Sequence, residues 1–514
     1  GLRRRARMTV QGFVPGRHGF ADYGSNLDVH ADVAVIGAGA GGCAVALSLA
    51  ERGLRVAVFE EGSHWNNADF KPDARFAMRS LYQGRGARSM RGNVIMPLPG
   101  GRGVGGSTLI NSAICYRCPP SILERWRGER GVDSISTDRF TAYFDRLWSS
   151  LGVTVQSAEI QRLNNIVFRD GAERLGLPTG FLPRSAPGCS GCGVCQFGCP
   201  SGGKASADRT LLTEALATGN VAVYADCRIR EAEKRGDRLV AVAGETLDQA
   251  VLEGRGRVRV TADRFVLSGG PVGSPLFLQA HGLSDSAHVG EHLVVHPTVG
   301  TLARFPFPIR AWHGVTQGCY VDCWDRGFLL QTYTVTPDQY FLLMPTAIGS
   351  ETLEALSNLA YYGSAGTLVH DEDSEGRVSM SPVGPDLYYN LGDVDRRRLI
   401  EGLRLCGRVF FAAGANQYLP ARAGGGPIER ESDIDAALPL DLPAHHLVTY
   451  ASHPMGTCRM GGDRSESVCD PTGRVWSMAN LWVADASLFP TSLGVNPQIT
   501  TMALALMVGE YVAA

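Results

Sequence analysis

Four cysteines crowd the stretch CSGCGVCQFGCPSGGK at 189–204: Cys189, Cys192, Cys195 and Cys199. The spacing C-x2-C-x2-C-x3-C-P is that of a bacterial ferredoxin run, in which thiolates wrap an iron–sulfur cluster. A [4Fe-4S] centre would need Cys199 to bend back, or a remote ligand such as Cys115, Cys118, Cys227 or Cys319. A [3Fe-4S] centre would need only three of the thiolates. Zinc is less expected, because the span is short for two knuckle-like pairs. A loop without metal stays open as a further reading. The choice bears on the electron acceptor. A cluster favours a quinone or a redox protein, and its absence leaves oxygen open.

A second group of residues suits a dinucleotide. GAGAGG at 37–42 places Gly37, Gly39 and Gly42 in a G-x-G-x-x-G pattern. The first glycine permits a tight turn, the second a close approach of backbone to pyrophosphate, and the third close helix–strand packing. The amino terminus of the following helix offers unpaired N–H groups to the phosphates. Glu60, 23 residues after Gly37, is placed to accept both ribose hydroxyls of an adenosine. The pattern by itself does not separate FAD from NAD.

These residues need a strand, a helix and a second strand in order, and the chain supplies them. DVAVIG reads as a strand, CAVALSLAERG as a helix and LRVAVFE as the strand that ends at Glu60. Further on, helices are expected near 136–151, over ASADRTLLTEALATGN and from PVGSPLFLQAHG at 271–282, and a strand at VAVYAD. RVRVTADRFVLSGG reads as a strand pair. Alternating apolar and aromatic segments follow between 300 and 390 (FLLQTYTV, QYFLLMPTAI, RVSMSP, LYYNLG), which predicts a mainly antiparallel sheet. A long amphipathic helix at 393–415, the strand LWVAD and an apolar helix close the chain.

Composition narrows the class. In 514 residues, 44% are hydrophobic and 19% charged, which fits a globular fold of more than one domain. A net charge of −2 gives no reason to expect nucleic acid as a partner. Thirteen cysteines cannot all pair, and no secretory segment is visible, so a reducing, cytoplasmic setting is expected. The one uncharged run of near-spanning length, 33–50, is the glycine turn and its helix, so no transmembrane segment is expected.

Three more segments carry a resemblance: GRGVGGSTLIN at 101–111, GPVGSPLFLQAHGLS at 270–284, and SHPMGTCRMGG with NLWVADASLFPTSLGVNPQITTMALAL at 452–462 and 480–506. With the glycine turn, they resemble the glucose–methanol–choline (GMC) oxidoreductases, within them the long-chain alcohol oxidase or dehydrogenase branch. His281 and Ser284 stand where that family usually has Ser and Gly. The resemblance implies an α/β fold: a Rossmann-type FAD-binding domain assembled from 30–125, 190–300 and 450–514. An α+β substrate domain would comprise 126–189 and 301–449, built on a mainly antiparallel sheet that roofs the flavin. Residues 1–29 would form an N-terminal extension.

It also implies roles. FAD would meet Gly105, Ser107 and Asn111 beside the ring or pyrophosphate, Asp485 and Ala486 at the pyrophosphate, Pro497 and Asn496 at the pyrimidine side, and Ile229 at the adenine, at the end of the strand ADCRI. His453, in SHPMGT, would be the base that takes an alcohol proton, and Asn496 would orient the alcohol oxygen. His296 matches a family histidine with a structural role. The implied reaction is oxidation of an alcohol to aldehyde or ketone with hydride passing to the flavin. Lyase or isomerase chemistry on the same fold, or a flavin and iron–sulfur electron-transfer subunit without its own substrate, are the alternatives. Tyr320, Trp324, Phe328, Tyr333, Tyr340, Phe341, Tyr361, Tyr362, Tyr388 and Tyr389 point to a hydrophobic alcohol if they line the pocket.

Overall fold

The computed structural model describes residues 10–339, 350–382 and 384–514. Two sheets organise them. The first has eight strands, in the order Gly16–His18, Val221–Tyr224, Val56–Phe59, Asn26–Ile36, Glu253–Leu267, Arg238–Asp248 and Cys227–Arg235, with Leu481–Val483 also on Glu253–Leu267. Pairing is parallel from Gly16–His18 through to Glu253–Leu267 and onto Leu481–Val483. The last three strands of the row form an antiparallel flank. Every residue of Val56–Phe59 and Val221–Tyr224 is buried, as expected for parallel strands covered on both faces.

Helix Ala40–Ala50 is buried from Gly41 onward, which explains why it is apolar all round rather than amphipathic. It packs on the last helix, Gln498–Ala513. The two come close because Gly509 lies against Ser48, where a Cβ would stand 2.5 Å from the Ser48 Cβ. The Ser48 hydroxyl donates to the Leu506 carbonyl at 2.9 Å. A Rossmann start near residue 32 is thus completed by segments 450 residues later.

The second sheet runs Gln417–Pro420, Thr298–Arg304, Tyr362–Val369, Phe328–Thr332, Cys319–Cys323 and Thr179–Phe181, all antiparallel, with Thr449–Tyr450 also on Thr298–Arg304. Helix Asp393–Ala412 covers it. Each sheet has its own apolar core.

Local expectations change in several places. RVRVTADRFVLSGG is no strand pair: Glu253–Leu267 is one strand, long enough to pair with Asn26–Ile36 and Arg238–Asp248 at once. Residues 16–18 and 26–29 are strand within the first sheet, not an extension beside it. Ile229 stands near the start of Cys227–Arg235, because the chain turns at Asp226, in left-handed conformation, before pairing begins. RVSMSP and LYYNLG form a separate hairpin, Glu375–Ser381 with Gly384–Asn390. The expected strand QYFLLMPTAI, with Tyr340 and Phe341, lies outside the described residues, save Gln339.

Candidate active site

A cavity of about 530 Å³ lies between the two sheets' segments. Its floor is the glycine turn. Gly37 has φ +103°, and a Cβ there would stand 2.3 Å from the Ser268 carbonyl oxygen. A Cβ on Gly41 would meet the Ala484 carbonyl at 1.9 Å, and one on Gly42 the Gly37 carbonyl at 1.9 Å. Gly37, Gly39 and Gly41 line the cavity, whereas Gly42 lies behind it and serves helix–strand packing. Gly105 is also behind the wall, donating its N–H to the Ala38 carbonyl at 2.7 Å, and its neighbour Gly106 takes the lining position.

Glu60 is buried at the end of its strand and faces this cavity. Its Oε2 accepts from the N–H of Ala38 at 3.0 Å, and its Oε1 from those of Gly62 and Gly103 at 2.9 and 3.1 Å. Burial, and then the neighbouring Glu61 charge, push its carboxyl up to about 7, against the pull of those three donors. Ser107, Asn111, Ile229, Asp485, Ala486 and Pro497 all reach the same cavity. Two of them also brace its walls. Asp485 accepts from the Gly270 N–H at 2.9 Å, the Ser274 hydroxyl at 2.6 Å and the Ser487 N–H at 2.8 Å. Asn111 accepts from the Ala113 N–H at 3.0 Å and donates to Gln498. A long cleft with a glycine turn and helix amino terminus in its floor and a carboxylate beside them suits a dinucleotide.

His453 and Asn496 meet in this cavity, with His453 Nε2 at 3.3 Å from Asn496 Nδ2. Gln331 donates to Asn496 Oδ1 at 2.9 Å, which turns the Asn496 amine toward His453. On its other side His453 Nδ1 lies 3.2 Å from His296 Nδ1. The Gly494 N–H donates to His296 Nε2 at 2.8 Å. The two ends of this chain favour opposite tautomers. Gly494 fills the Nε2 lone pair of His296, so a neutral His296 carries its proton on Nδ1, and His453 accepts there and bears Nε2–H. The Gln331–Asn496 end instead favours a bare Nε2 on His453, able to accept a proton from the cavity side.

His296 itself has φ +54°, a left-handed conformation rare outside glycine. Asp371 holds it there by accepting from the N–H groups of Val295 and His296 at 2.9 and 2.8 Å. Tyr389 and Ser492 hydroxyls donate to the same carboxylate at 2.7 and 3.0 Å. Burial pushes His453 down to about 4 and His296 well below the ordinary imidazole value, where the charges of His453 and His370 add to the effect. Both rings are neutral at pH 7.

Sequence reasoning missed Gln331, Asp371 and the direct His296–His453 contact. Gln331 has no local signal, since its importance arises only where its strand passes Asn496. Of the aromatic residues expected at the pocket, Tyr333 alone lines the cavity among those described, stacked on Tyr450 with centroids 5.5 Å apart. Phe328, Tyr362 and Tyr389 are core residues, Trp324 stacks on His370, and Tyr388 lies under the guanidinium groups of Arg91 and Arg377.

The cysteine loop differs from the iron–sulfur and zinc expectations. Cys189, Cys192, Cys195 and Cys199 do surround one cavity, but its volume is about 10 Å³, room for roughly one water and none for a cluster. Among the described residues no group of three or more His, Cys, Asp or Glu is arranged to hold a metal ion. Arg184 lines the same small cavity and donates to Cys189 Sγ at 3.5 Å and Cys195 Sγ at 3.3 Å, placing a cation beside two of the thiols. All thirteen cysteines are free thiols. Among the described residues no helix is long and apolar enough to cross a membrane.

Comparison with known proteins agrees with this geometry. GMC oxidoreductase models match residues 78–298 and 372–505, and an FAD binding domain model matches 32–68. An uncharacterised GMC-type oxidoreductase of Mycobacterium tuberculosis is 32% identical over 94% of this chain and 76% of its own. The long-chain-alcohol oxidase FAO1 of Arabidopsis thaliana is 28% identical over 94% and 67%. Among solved structures, pyridoxine 4-oxidase from Mesorbium loti superposes with a TM-score of 0.71 at 19% identity, over 93% of this chain and 98% of that one. The glycine cradle, the buried Glu60 and these matches together make the chain an FAD-binding member of the GMC oxidoreductase family.

Proposed function

We propose that this oxidoreductase converts a hydrophobic alcohol to its aldehyde or ketone, with oxygen as electron acceptor and hydrogen peroxide as co-product. The observation that carries the reading is the His453–Asn496 pair at 3.3 Å in the cavity that also holds the glycine turn. Bound FAD supplies the hydride acceptor. The protein's own residues handle the oxygen and its proton.

In this reading Asn496, held by Gln331, grips the alcohol oxygen, and His453 takes the hydroxyl proton on Nε2. Only the tautomer with Nδ1–H on His453 can do so, and it requires His296 to accept at Nδ1 and loosen its bond from Gly494. His296 is therefore a positioning residue that regulates how readily the base form arises. Tyr82, Tyr333 and Tyr450 give the cavity apolar faces, which suit an alkyl or aryl chain better than a sugar. The likeness to a named long-chain-alcohol oxidase supports the same substrate class.

A panel of primary alcohols of increasing chain length tests the reading, with peroxide release as readout. The expected result is kcat/KM rising with chain length; equal or better turnover of glucose or choline would contradict it. The acid limb of kcat/KM should lie near pH 4, well below the ordinary histidine value. The sign follows from the base role: activity is full while His453 is neutral and falls as pH drops through about 4. A pH–rate profile of the free enzyme checks this. Gln331→Leu removes one neutral hydrogen bond from Asn496, worth about 0.5–1.5 kcal/mol, so kcat/KM should fall about 2- to 12-fold at unchanged FAD content.

A further inference from the structure

Two cations are buried behind the loop that walls the flavin cavity: Arg184, whose acidic neighbours are cysteine sulfurs, and Lys204, which feels Asp208 as well as the cysteines. Arg184 is fully buried and Lys204 is 4% exposed. Arg184 donates Nε–H to the Ser112 carbonyl at 2.7 Å, and its other donors reach Gln156 Oε1 and the sulfurs of Cys189 and Cys195. Lys204 Nζ donates to the carbonyls of Leu109, Asn111 and Cys195 at 2.6, 2.9 and 3.1 Å, and its backbone N–H donates to Cys199 Sγ at 3.3 Å. Buried charges are costly unless they are paired. Cys189 and Cys195 are the acidic groups that touch Arg184, and Cys195 is a negative group that acts on both cations.

We propose that Cys195 is a reactive thiolate and Cys189 its resolving partner, and that hydrogen peroxide oxidises this pair to a disulfide. The two sulfurs accept from the two ends of one guanidinium, which keeps them on one side of it. Burial pushes the Cys195 thiol up, but Arg184 and then Lys204 bring it below its ordinary value. Both residues are partly exposed and line the small cavity of the cysteine loop. Reactive cysteines are found in such electropositive, partly open settings beside a second thiol.

The chemistry balances in two steps. The Cys195 thiolate attacks one peroxide oxygen and the O–O bond breaks, giving a sulfenic acid and a hydroxide that takes a proton to become water. The Cys189 thiol then displaces the sulfenic oxygen, which leaves as a second water, and the S–S bond forms. The sulfur pair loses two electrons and peroxide gains them. The source of peroxide rests on the oxidase reading above. The thiol chemistry itself does not, since added peroxide replaces that source.

Oxidation would be felt at the flavin cavity. Arg184 and Lys204 hold the carbonyls of Leu109, Asn111 and Ser112, and Asn111 and Ser112 line that cavity. Joining the two sulfurs removes the acidic partners of Arg184 and one of the negative groups beside Lys204, which loosens the loop. The test treats the FAD-loaded protein with hydrogen peroxide, alkylates remaining thiols and maps the peptides by mass spectrometry. The expected result is a Cys189–Cys195 disulfide, reversed by dithiothreitol, accompanied by loss of flavin fluorescence quenching or by slower turnover. In Cys189→Ser, Cys195 should instead accumulate a sulfenic acid that dimedone traps, a readout that needs no activity. A Cys195→Ser protein should show neither product. Stoichiometric iron and acid-labile sulfide in the isolated protein would overturn the proposal. So would a Cys195 that stays reduced under peroxide while Cys192 oxidises.

Discussion

His453→Ala should lower kcat about 10²- to 10⁴-fold, the usual contribution of a positioned acid–base group, while FAD content stays at the wild-type level. The separation of the two effects is the informative part. His453 reaches its neighbours through the two ring nitrogens, to His296 on one side and Asn496 on the other, and it makes no bond to the glycine turn or to Glu60. Its loss removes the proton acceptor without touching the cradle that holds the dinucleotide. The imidazole is half-buried in the cavity wall, so the vacated space costs some stability as well. That cost appears in the melting temperature and not in the ratio of turnover to bound flavin. Single-turnover kinetics at saturating alcohol checks the chemical step directly. His453→Gln provides a second variant, retaining bulk and a polar contact to Asn496 but no basic nitrogen to take the proton. It should be as slow as alanine.

The opposite pattern is expected at Glu60. Glu60→Ala should yield protein that loses most of its FAD on purification, with turnover per bound FAD little changed. Three backbone donors, from Ala38, Gly62 and Gly103, converge on this carboxylate. Each such hydrogen bond contributes about 0.5–3 kcal/mol, from the neutral to the charged carboxyl, so losing even one equals an about 2- to 150-fold weakening of whatever arrangement it holds. Removal also takes away the acceptor placed for ribose hydroxyls. Glu60→Gln keeps the volume but turns one acceptor into a donor, which faces an N–H group, so it should be nearly as defective. Binding of FAD to apo-protein, followed by quenching of flavin fluorescence, measures the loss. Glu60→Asp should recover only part of it, because the shorter chain cannot reach Ala38 and Gly103 together.

These two outcomes follow parts of the molecule that differ in how readable they are from sequence. The glycine turn and Glu60 are legible because their geometry is local: one strand, one helix and one strand, with each glycine answering a close approach. Even there the partners of the glycines, Ser268 and Ala484, come from remote segments. His453 and Asn496 are legible through family position alone, since nothing in the chain around them shows that they touch. The support behind them was not legible. His296, Gln331, Asp371 and Gly494 lie on four separate segments that meet only after both sheets are built. Most of the described aromatic residues of 320–389 lie away from the cavity, and sequence does not separate the two roles because a sheet core and a pocket wall draw on the same residue types. The cysteine run left the metal question open for a related reason. Ligand spacing describes the thiols and says nothing of a guanidinium from position 184 that donates to two of them.

His453 and FAD are expected to act on an alcohol in one cavity, and anaerobic mixing of the FAD-loaded protein with a long-chain primary alcohol, followed by absorbance of the oxidised flavin, tests this. The expected result is rapid bleaching of the flavin in the wild-type protein, formation of one aldehyde per flavin, and bleaching slowed at least about 100-fold in His453→Ala. A flavin that stays oxidised across a broad alcohol panel, or one that bleaches equally fast without His453, would contradict it.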